Sequence, residues 1–187
     1  MEKVRQYFDQ LLVMGDEEWE AFSAGLQRRE VGKKSFLLEA GADCSFIGFI
    51  QEGVFRLYHE REEEEKITAF FFSHDFVTNY RSFLTGLPST HHIQALADAV
   101  VWTIQRDYLR NLYDRYPQLD RLGRLVAENL YLKVATRLDT FLYLTPAERY
   151  EELIRRNSKL LQVVPQYMLA SYLGVTAESL SRIRARK

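Results

Sequence analysis

The residues best suited to do chemistry lie in the last dozen positions, where the chain reads TAESLSRIRARK from Thr176 to Lys187. Leu180 and Ile183, three apart, mark the inward side of a short helix, Ala177–Arg186. Ala177, Glu178, Ser181, Arg182 and Arg184 are left on its other faces, and Thr176 precedes it. One carboxylate acceptor, hydroxyls and guanidinium donors on one short helix can read base edges in a DNA groove and bind the flanking phosphates. A recognition helix directs its N-terminal residues at the bases.

Several upstream residues must position that helix. Gln166–Leu173 is expected to be a first short helix, with Met168, Leu169, Tyr172 and Leu173 as its apolar stripe and Ala170 small where two helices approach. Gly174 accepts positive φ at no steric cost and turns the chain. Val175 anchors the turn, and Thr176 is placed to cap the second helix. Two helices crossing steeply at a Gly turn form the helix-turn-helix that enters the major groove. Each feature alone is also found in ordinary helical hairpins; the combination points to DNA. Charge agrees. The chain as a whole carries −1. From Arg155 to Lys187 there are seven Lys/Arg (including Arg156, Lys159, Arg186 and Lys187) against one acid, Glu178, a net of +6 on a body of −7. A phosphate-binding tail on an acidic body has this form.

Composition bounds the remaining possibilities. With 187 residues, 47% hydrophobic and 27% charged, the chain can bury a substantial core. No apolar run approaches the ~20 residues that span a bilayer, and MEKVRQYFDQ has no signal-peptide core. No membrane partner is expected. The single cysteine, Cys44, excludes an intramolecular disulfide and a four-thiolate metal or iron–sulfur site, and makes the cytoplasm the expected compartment.

Along the chain, Val4, Tyr7, Phe8, Leu11 and Leu12 recur at helical spacing. After Gly15, Asp16 is placed to cap a second helix holding Trp19, Phe22 and Leu26. From Glu30 to about Ile104 the period shortens to that of strands, broken at Gly32, Gly41, Gly53, Gly86 and Pro88. Phe46–Ile50 and Val54–Tyr58 read as a hairpin around Gly53. Glu62–Glu65 reads as a solvated hairpin tip before Ile67–Phe72. Ile93–Leu96 and Val100–Ile104 read as closing strands. Strands without crossover helices favour an antiparallel barrel or jelly roll. After a short helix, Asp107–Tyr113, the longest helical stretch runs from Gln118 to Leu144. Leu119, Leu122, Val126, Leu130, Val134, Leu138 and Phe141, with Leu125 and Tyr131 alongside, step by three or four. Such a stripe suits pairing with a second copy, and Leu122, Val126, Leu130, Val134 and Leu138 are the expected interface. The plainer alternative is a helix covering its own barrel. Thr145-Pro146-Ala147-Glu148 starts another helix, with Thr as cap and Pro first; Arg149–Asn157 continues it. The fold class expected is α+β in three parts: residues 1–117 as a jelly roll with N-terminal helices, 118–144 as a dimerisation helix and 145–187 as an all-α helix-turn-helix unit.

This plan resembles the Crp/Fnr family of bacterial transcription regulators over nearly the whole chain, in a short form lacking the C-terminal wing. The residues carrying the resemblance are Leu173-Gly174-Val175, Glu178 and Ser181-Arg182-Ile183, with weaker support from His74-Asp75-Phe76, Gly41 and Gly53. It implies a homodimer acting on double-stranded DNA and with RNA polymerase. Glu178 falls where a family Glu accepts from a cytosine amine, and Arg182 where an Arg donates to guanine. Ala177 stands where some members have another base-reading Arg, so the half-site differs. Thr176, Ser181 and Arg184 would hold phosphates.

Cyclic-nucleotide-binding members carry Gly-Glu and Arg-Ser or Arg-Thr around the phosphate. Here Thr78-Asn79 and Ser89-Thr90 stand in those places, and Arg81 precedes the loop. Without the Arg a buried phosphate loses its bidentate partner, so cAMP is not expected to bind in the family's way. Tyr80, Phe83, Ser89 and Thr90 are the candidate contacts for another small-molecule effector, if there is one. No cofactor or metal is expected: His59, His74, His91 and His92 do not form a ligand set, His91 and His92 being adjacent and so on opposite strand faces. An enzymatic barrel is disfavoured for the same reason. The competing reading is a small-molecule-binding β-barrel whose C-terminal helices make protein contacts.

Overall fold

The computed structural model describes residues 2–62, 64–156 and 160–185. Two helices, α1 (Glu2–Leu11) and α2 (Asp16–Ala24), precede the strands β1 (Gln27–Val31), β2 (Phe36–Leu38), β3 (Phe46–Glu52), β4 (Val54–Arg61), β5 (Glu64–Phe72) and β6 (Phe76–Val77). A short helix α3 (Tyr80–Thr85) leads to β7 (His92–Ala95) and β8 (Ala99–Gln105). The rest is helical: α4 (Arg106–Arg115), α5 (Pro117–Tyr143), α6 (Pro146–Arg156), α7 (Leu160–Val163), α8 (Gln166–Leu173) and α9 (Ala177–Ala185).

All strand pairs are antiparallel, in two four-stranded sheets ordered β1-β8-β3-β6 and β2-β7-β4-β5. This is the jelly roll that the run of short strands implied. Its interior is made by alternate residues of both sheets, among them Ile50, Phe55, Val77, Ile93 and Val101, none measurably exposed. The opposite face of β3 is buried too, because Ile47 and Phe49 pack under α1, α2, α4 and α5. A strand buried on both faces shows no polar alternation, and β3 reads FIGFI for that reason.

Two local expectations are corrected. Phe46–Ile50 and Val54–Tyr58 do not form a hairpin: β3 belongs to the first sheet and β4 to the second. Gly53 carries the chain across at φ +117°, where a Cβ would lie 2.4 Å from that of Ala99. Only glycine fits such a corner. Asp16 is not the cap of α2. Gly15 holds that position, and Asp16 in the first turn accepts a 2.6 Å bond from Arg5. The acidic run does sit at a hairpin end, with Glu60 opposite Glu65 and Arg61 opposite Glu64; Glu63 lies outside the described residues.

The long helix corrects the expected interface. Leu119, Leu122 and Val126 are buried in the chain's own core with Phe49, Leu109 and Leu112, and Leu130 packs partly against them. Val134 and Leu138 are 68% and 57% exposed. Each i to i+4 step overshoots a full turn by about 40°. The run from Leu122 to Leu138 therefore winds about 160° around the helix, so its ends face nearly opposite ways. Leu122 and Val126, buried within the chain, are thus not free to face a second copy as expected. The apolar side chains left uncovered on one face are Tyr131, Val134, Leu138 and Leu142.

Truncating Phe55 to Ala at the centre of the roll should cost about 3–5 kcal/mol, the range for a fully buried aromatic. Urea unfolding at equilibrium measures it; a loss under 1 kcal/mol would place this ring outside the core.

Candidate functional site

The C-terminal helices are built by local rules. At the start of α6, Glu148 Oε2 accepts from the Thr145 amide and hydroxyl, both at 2.7 Å, and the Glu148 amide donates to Thr145 Oγ1 at 3.4 Å. These bonds hold the Glu148 carboxyl below its usual pKa. The chain then reaches α8, which ends at Gly174 with φ 69° and ψ 37°. A side chain there would be strained twice, by its backbone angle and by Phe141 Cε1 at 2.9 Å from the Cβ position. Val175 N donates to Ala170 O at 3.0 Å, closing the turn. Thr176 Oγ1 accepts from Ser179 N at 3.2 Å, the N-cap bond its position implied.

Below α9, Leu180 is wholly buried and Ile183 half buried, joined with Leu169, Leu173 and Tyr150. Above it, Thr176, Ala177, Glu178, Ser181, Arg182 and Arg184 are all exposed. Glu178 and Arg182 lie one turn apart on the same face. The Glu178 carboxyl is held below its usual pKa by its own backbone amide first, then by the Thr176 hydroxyl and the Arg182 charge. Arg182 touches Ser179 Oγ at 3.4 Å and Arg184 touches Gln166 Oε1 at 3.4 Å; neither forms an ion pair among the described residues. The helix is described to Ala185. Arg186 and Lys187, with Asn157 and Lys159 before α7, lie outside the described residues, so part of the basic tail has no structural account.

What fixes this hairpin to the roll escaped the sequence reading. Edge strand β5 meets α8 through Ser171, whose hydroxyl donates to Glu65 O at 2.8 Å and accepts from Ile67 N at 3.1 Å. Tyr58, Ile67, Phe70 and Phe72 on the outer face of the second sheet join Met168 and Leu169 in one apolar cluster. Beside it Arg56, only 5% exposed, makes a bidentate pair with Glu65, bonds Gln94 Oε1 at 2.9 Å and lies 4.1 Å over the Tyr58 ring. On α5, Arg137 donates to Tyr172 O and lies between the rings of Tyr172 at 3.5 Å and Phe141 at 4.4 Å. No motif marks these residues. The only available signal was a polar Arg56 between Phe55 and Leu57 in a strand.

The four residues expected to contact an effector do not converge. Ser89 is 2% exposed: its hydroxyl accepts from Asn79 Nδ2 at 2.7 Å and donates to His91 O at 2.7 Å. Asn79 also caps α3 through Ser82 N at 3.3 Å. The loop is thus closed on itself, with no guanidinium at Ser89. Thr90 is exposed, its carbonyl accepting from His59 Nδ1 at 2.7 Å. Tyr80 and Phe83 lie elsewhere. Their rings stack at 6.0 Å and line an open cavity of about 290 Å³ between α3, α4 and α5. Burial pulls the His91 pKa down, with His59, His92 and Arg81 adding to the effect. Among the described residues no group of His, Cys, Asp and Glu could hold a metal, and no helix is long and apolar enough to cross a membrane.

Residues 28–116 match the cyclic nucleotide-binding domain family. No curated protein matches the chain. Similar solved structures include a Eubacterium rectale protein assigned to the crp/fnr family of transcriptional regulators, at 14% identity and TM-score 0.74 over 97% of this chain and 87% of that one. Another is Xanthomonas campestris CLP, a c-di-GMP-responsive global regulator, at 16% identity and TM-score 0.72 over 92% and 91%. A third is a CooA variant from Carboxydothermus hydrogenoformans, at 15% identity and TM-score 0.68 over 87% and 76%. The chain has the Crp/Fnr fold. Within it, the jelly roll keeps the cyclic-nucleotide-binding architecture while the loop from Asn79 to His91 satisfies its own polar groups.

The lowered Glu148 pKa makes this side chain's contribution depend on pH. Its contribution to stability is complete above the ordinary carboxylate value of 4.5 and is lost as pH falls through the lower folded-state value. Glu148→Gln should therefore destabilise the protein at about pH 7 and make no difference at about pH 2. Urea titrations at both pH values check this; equal losses at both would remove the charge from the account.

Proposed function

We propose that the chain is a homodimeric transcription regulator of Crp/Fnr type that binds an inverted-repeat DNA site and does not respond to cAMP. The observation that carries this reading is the pairing of Glu178 with Arg182 on the exposed face of a capped helix whose opposite face is buried. An acceptor and a donor fork one turn apart, with no ion pair to a third residue among the described residues, suit adjacent base edges. Glu178 accepts from a cytosine amine and Arg182 donates to guanine O6 and N7. Thr176, Ser181 and Arg184 border the same surface and serve the phosphates. Ala177 offers only a methyl to the groove.

One copy presents one such helix. The uncovered stripe of Tyr131, Val134, Leu138 and Leu142 supports pairing of α5 with its counterpart in a second copy, giving two recognition helices related by a twofold axis and a palindromic site. In this division of labour residues 1–117 receive signals, 118–144 join the protomers and 145–187 bind DNA, in the cytoplasm and alongside RNA polymerase. The uncharged, internally bonded Ser89 supports the absence of a cAMP response, because a cyclic phosphate there would lack its cation.

Selection of bound sequences from a random DNA pool tests the reading. The expected product is two inverted half-sites about one helical turn apart, with affinity falling steeply as salt rises. Recovery of no preferred sequence would favour a barrel whose C-terminal helices contact protein. Arg182→Ala should cost about 1–3 kcal/mol and relax preference at one base pair per half-site. Leu138→Asp should leave the fold intact, shift sedimentation equilibrium to monomer and weaken binding to the full palindrome far more than to a half-site. Calorimetric titration with cAMP should give no saturable heat.

A further inference from the structure

We infer that the cavity between α3, α4 and α5 binds a small organic carboxylate with an apolar body. The inference stands on the cavity's own chemistry. Only its consequence for α5 rests on the regulator reading.

The cavity holds about 290 Å³, close to the ~300 Å³ at which small-molecule sites begin. Its apolar wall is Ile47, Phe83, Leu84, Leu109, Val126 and Ala127. Inorganic phosphate would leave this wall wet, so the ligand needs a hydrocarbon or aromatic body. Its polar lining holds three guanidiniums, Arg106, Arg110 and Arg124, and one carboxylate, Asp120. Arg106 is fixed by Asp43 at 2.9 and 3.2 Å and by Phe83 O at 3.2 Å, so its charge is already compensated and it serves as a rigid polar wall. Arg110 and Arg124 are held only by exposed pairs within their own helices, at 3.9 Å to Asp107 and 2.7 Å to Glu128. Such pairs contribute little, so both guanidiniums are free to turn onto a ligand anion.

Two phenols add further donors. The rings of Tyr80 and Tyr113 both line the cavity and bring their hydroxyls to it. Burial first, then Tyr80 and Asp120, push the Tyr113 pKa up to about 12, so it remains a phenol that donates. Phenol donors and guanidiniums around an apolar floor fit a carboxylate head with an apolar body; an ammonium head would meet the same cations as repulsion. The cavity is separate from the polar cluster of Asn79, Ser89 and His91, although Tyr80, Phe83 and Leu84 fall between those residues in the sequence.

Isothermal titration of the full chain with octanoate, octanol and octylammonium, without DNA, tests the site. Octanoate should saturate at one per chain and bind at least about tenfold more tightly than either of the others. Replacing Arg110 and Arg124 together with Gln should weaken octanoate about tenfold and leave octanol unchanged. Leu84→Trp, at a half-exposed position on the rim, should block octanoate while preserving the thermal midpoint. Absence of saturable octanoate binding, equal binding of all three probes, or undiminished binding by either variant would overturn the proposal. Because DNA is absent, any of these leaves the DNA reading standing, and a failure to bind DNA leaves the cavity to be judged by these titrations alone.

Discussion

An α-helix turns about 100° per residue, and over the 27 residues of α5 that pitch determines which neighbours the helix can have. Leu119, Leu122 and Val126 point into the roll's outer core. Half a helix length later the same spacing points away from it, because no i, i+4 run stays on one face of a straight helix. The far half is thus free to make two other contacts: Arg137 and Phe141 toward the α8–α9 hairpin, and Tyr131, Val134, Leu138 and Leu142 toward whatever covers them. The roll, the hairpin and the uncovered stripe are all positioned by one rod, and their angular relation is set by its pitch.

The hairpin's attachment to that rod is polar as well as apolar. Arg137 has no carboxylate partner among the described residues, and burial lowers its pKa. It is compensated by the Tyr172 carbonyl and by two ring faces. A desolvated cation–π contact of this kind is worth about 2 kcal/mol, enough to help specify one arrangement. Ser171 does the same at the sheet edge. Strand β5 would otherwise present unpaired Glu65 O and Ile67 N, and one hydroxyl serves both, removing the edge from solvent as it fixes the register between hairpin and sheet. Phe141 then lies against Gly174, so the turn that orients α9 touches α5 directly.

Much of this was legible in the sequence because it is encoded locally. The bounds of α8, the left-handed Gly174, the Thr176 cap and the Thr145–Glu148 box each depend on residues within five positions of one another. The order of short strands gave the jelly roll for the same reason. Contacts between distant segments were not legible. The corner at Gly53 looked like a hairpin because a φ-positive glycine between two apolar runs serves either geometry, and only the clash with Ala99 selects the sheet crossing. Leu122 and Val126 looked like interface residues because step size alone does not show that a stripe is rotating. The grouping of Tyr80 and Phe83 away from Ser89 and Thr90 depends on α3, a six-residue helix too short to show a period.

That last division bears on how a signal could reach DNA. A ligand shifts an equilibrium only through unequal affinity for two arrangements. The loop from Asn79 to His91 has little unequal affinity to offer an anion, since the Ser89 hydroxyl is already satisfied on both sides. The cavity beyond α3 differs. Its wall includes Asp120, Gly123, Arg124, Val126 and Ala127 of α5, so its shape changes whenever the near half of the helix moves against α3 and α4. On the inference drawn above, a molecule filling it would favour one setting of that half, and the helix would carry the preference to Arg137 and Phe141 at the far end. On the proposed reading, a ligand therefore has more leverage at the root of the long helix than in the loop from Asn79 to His91.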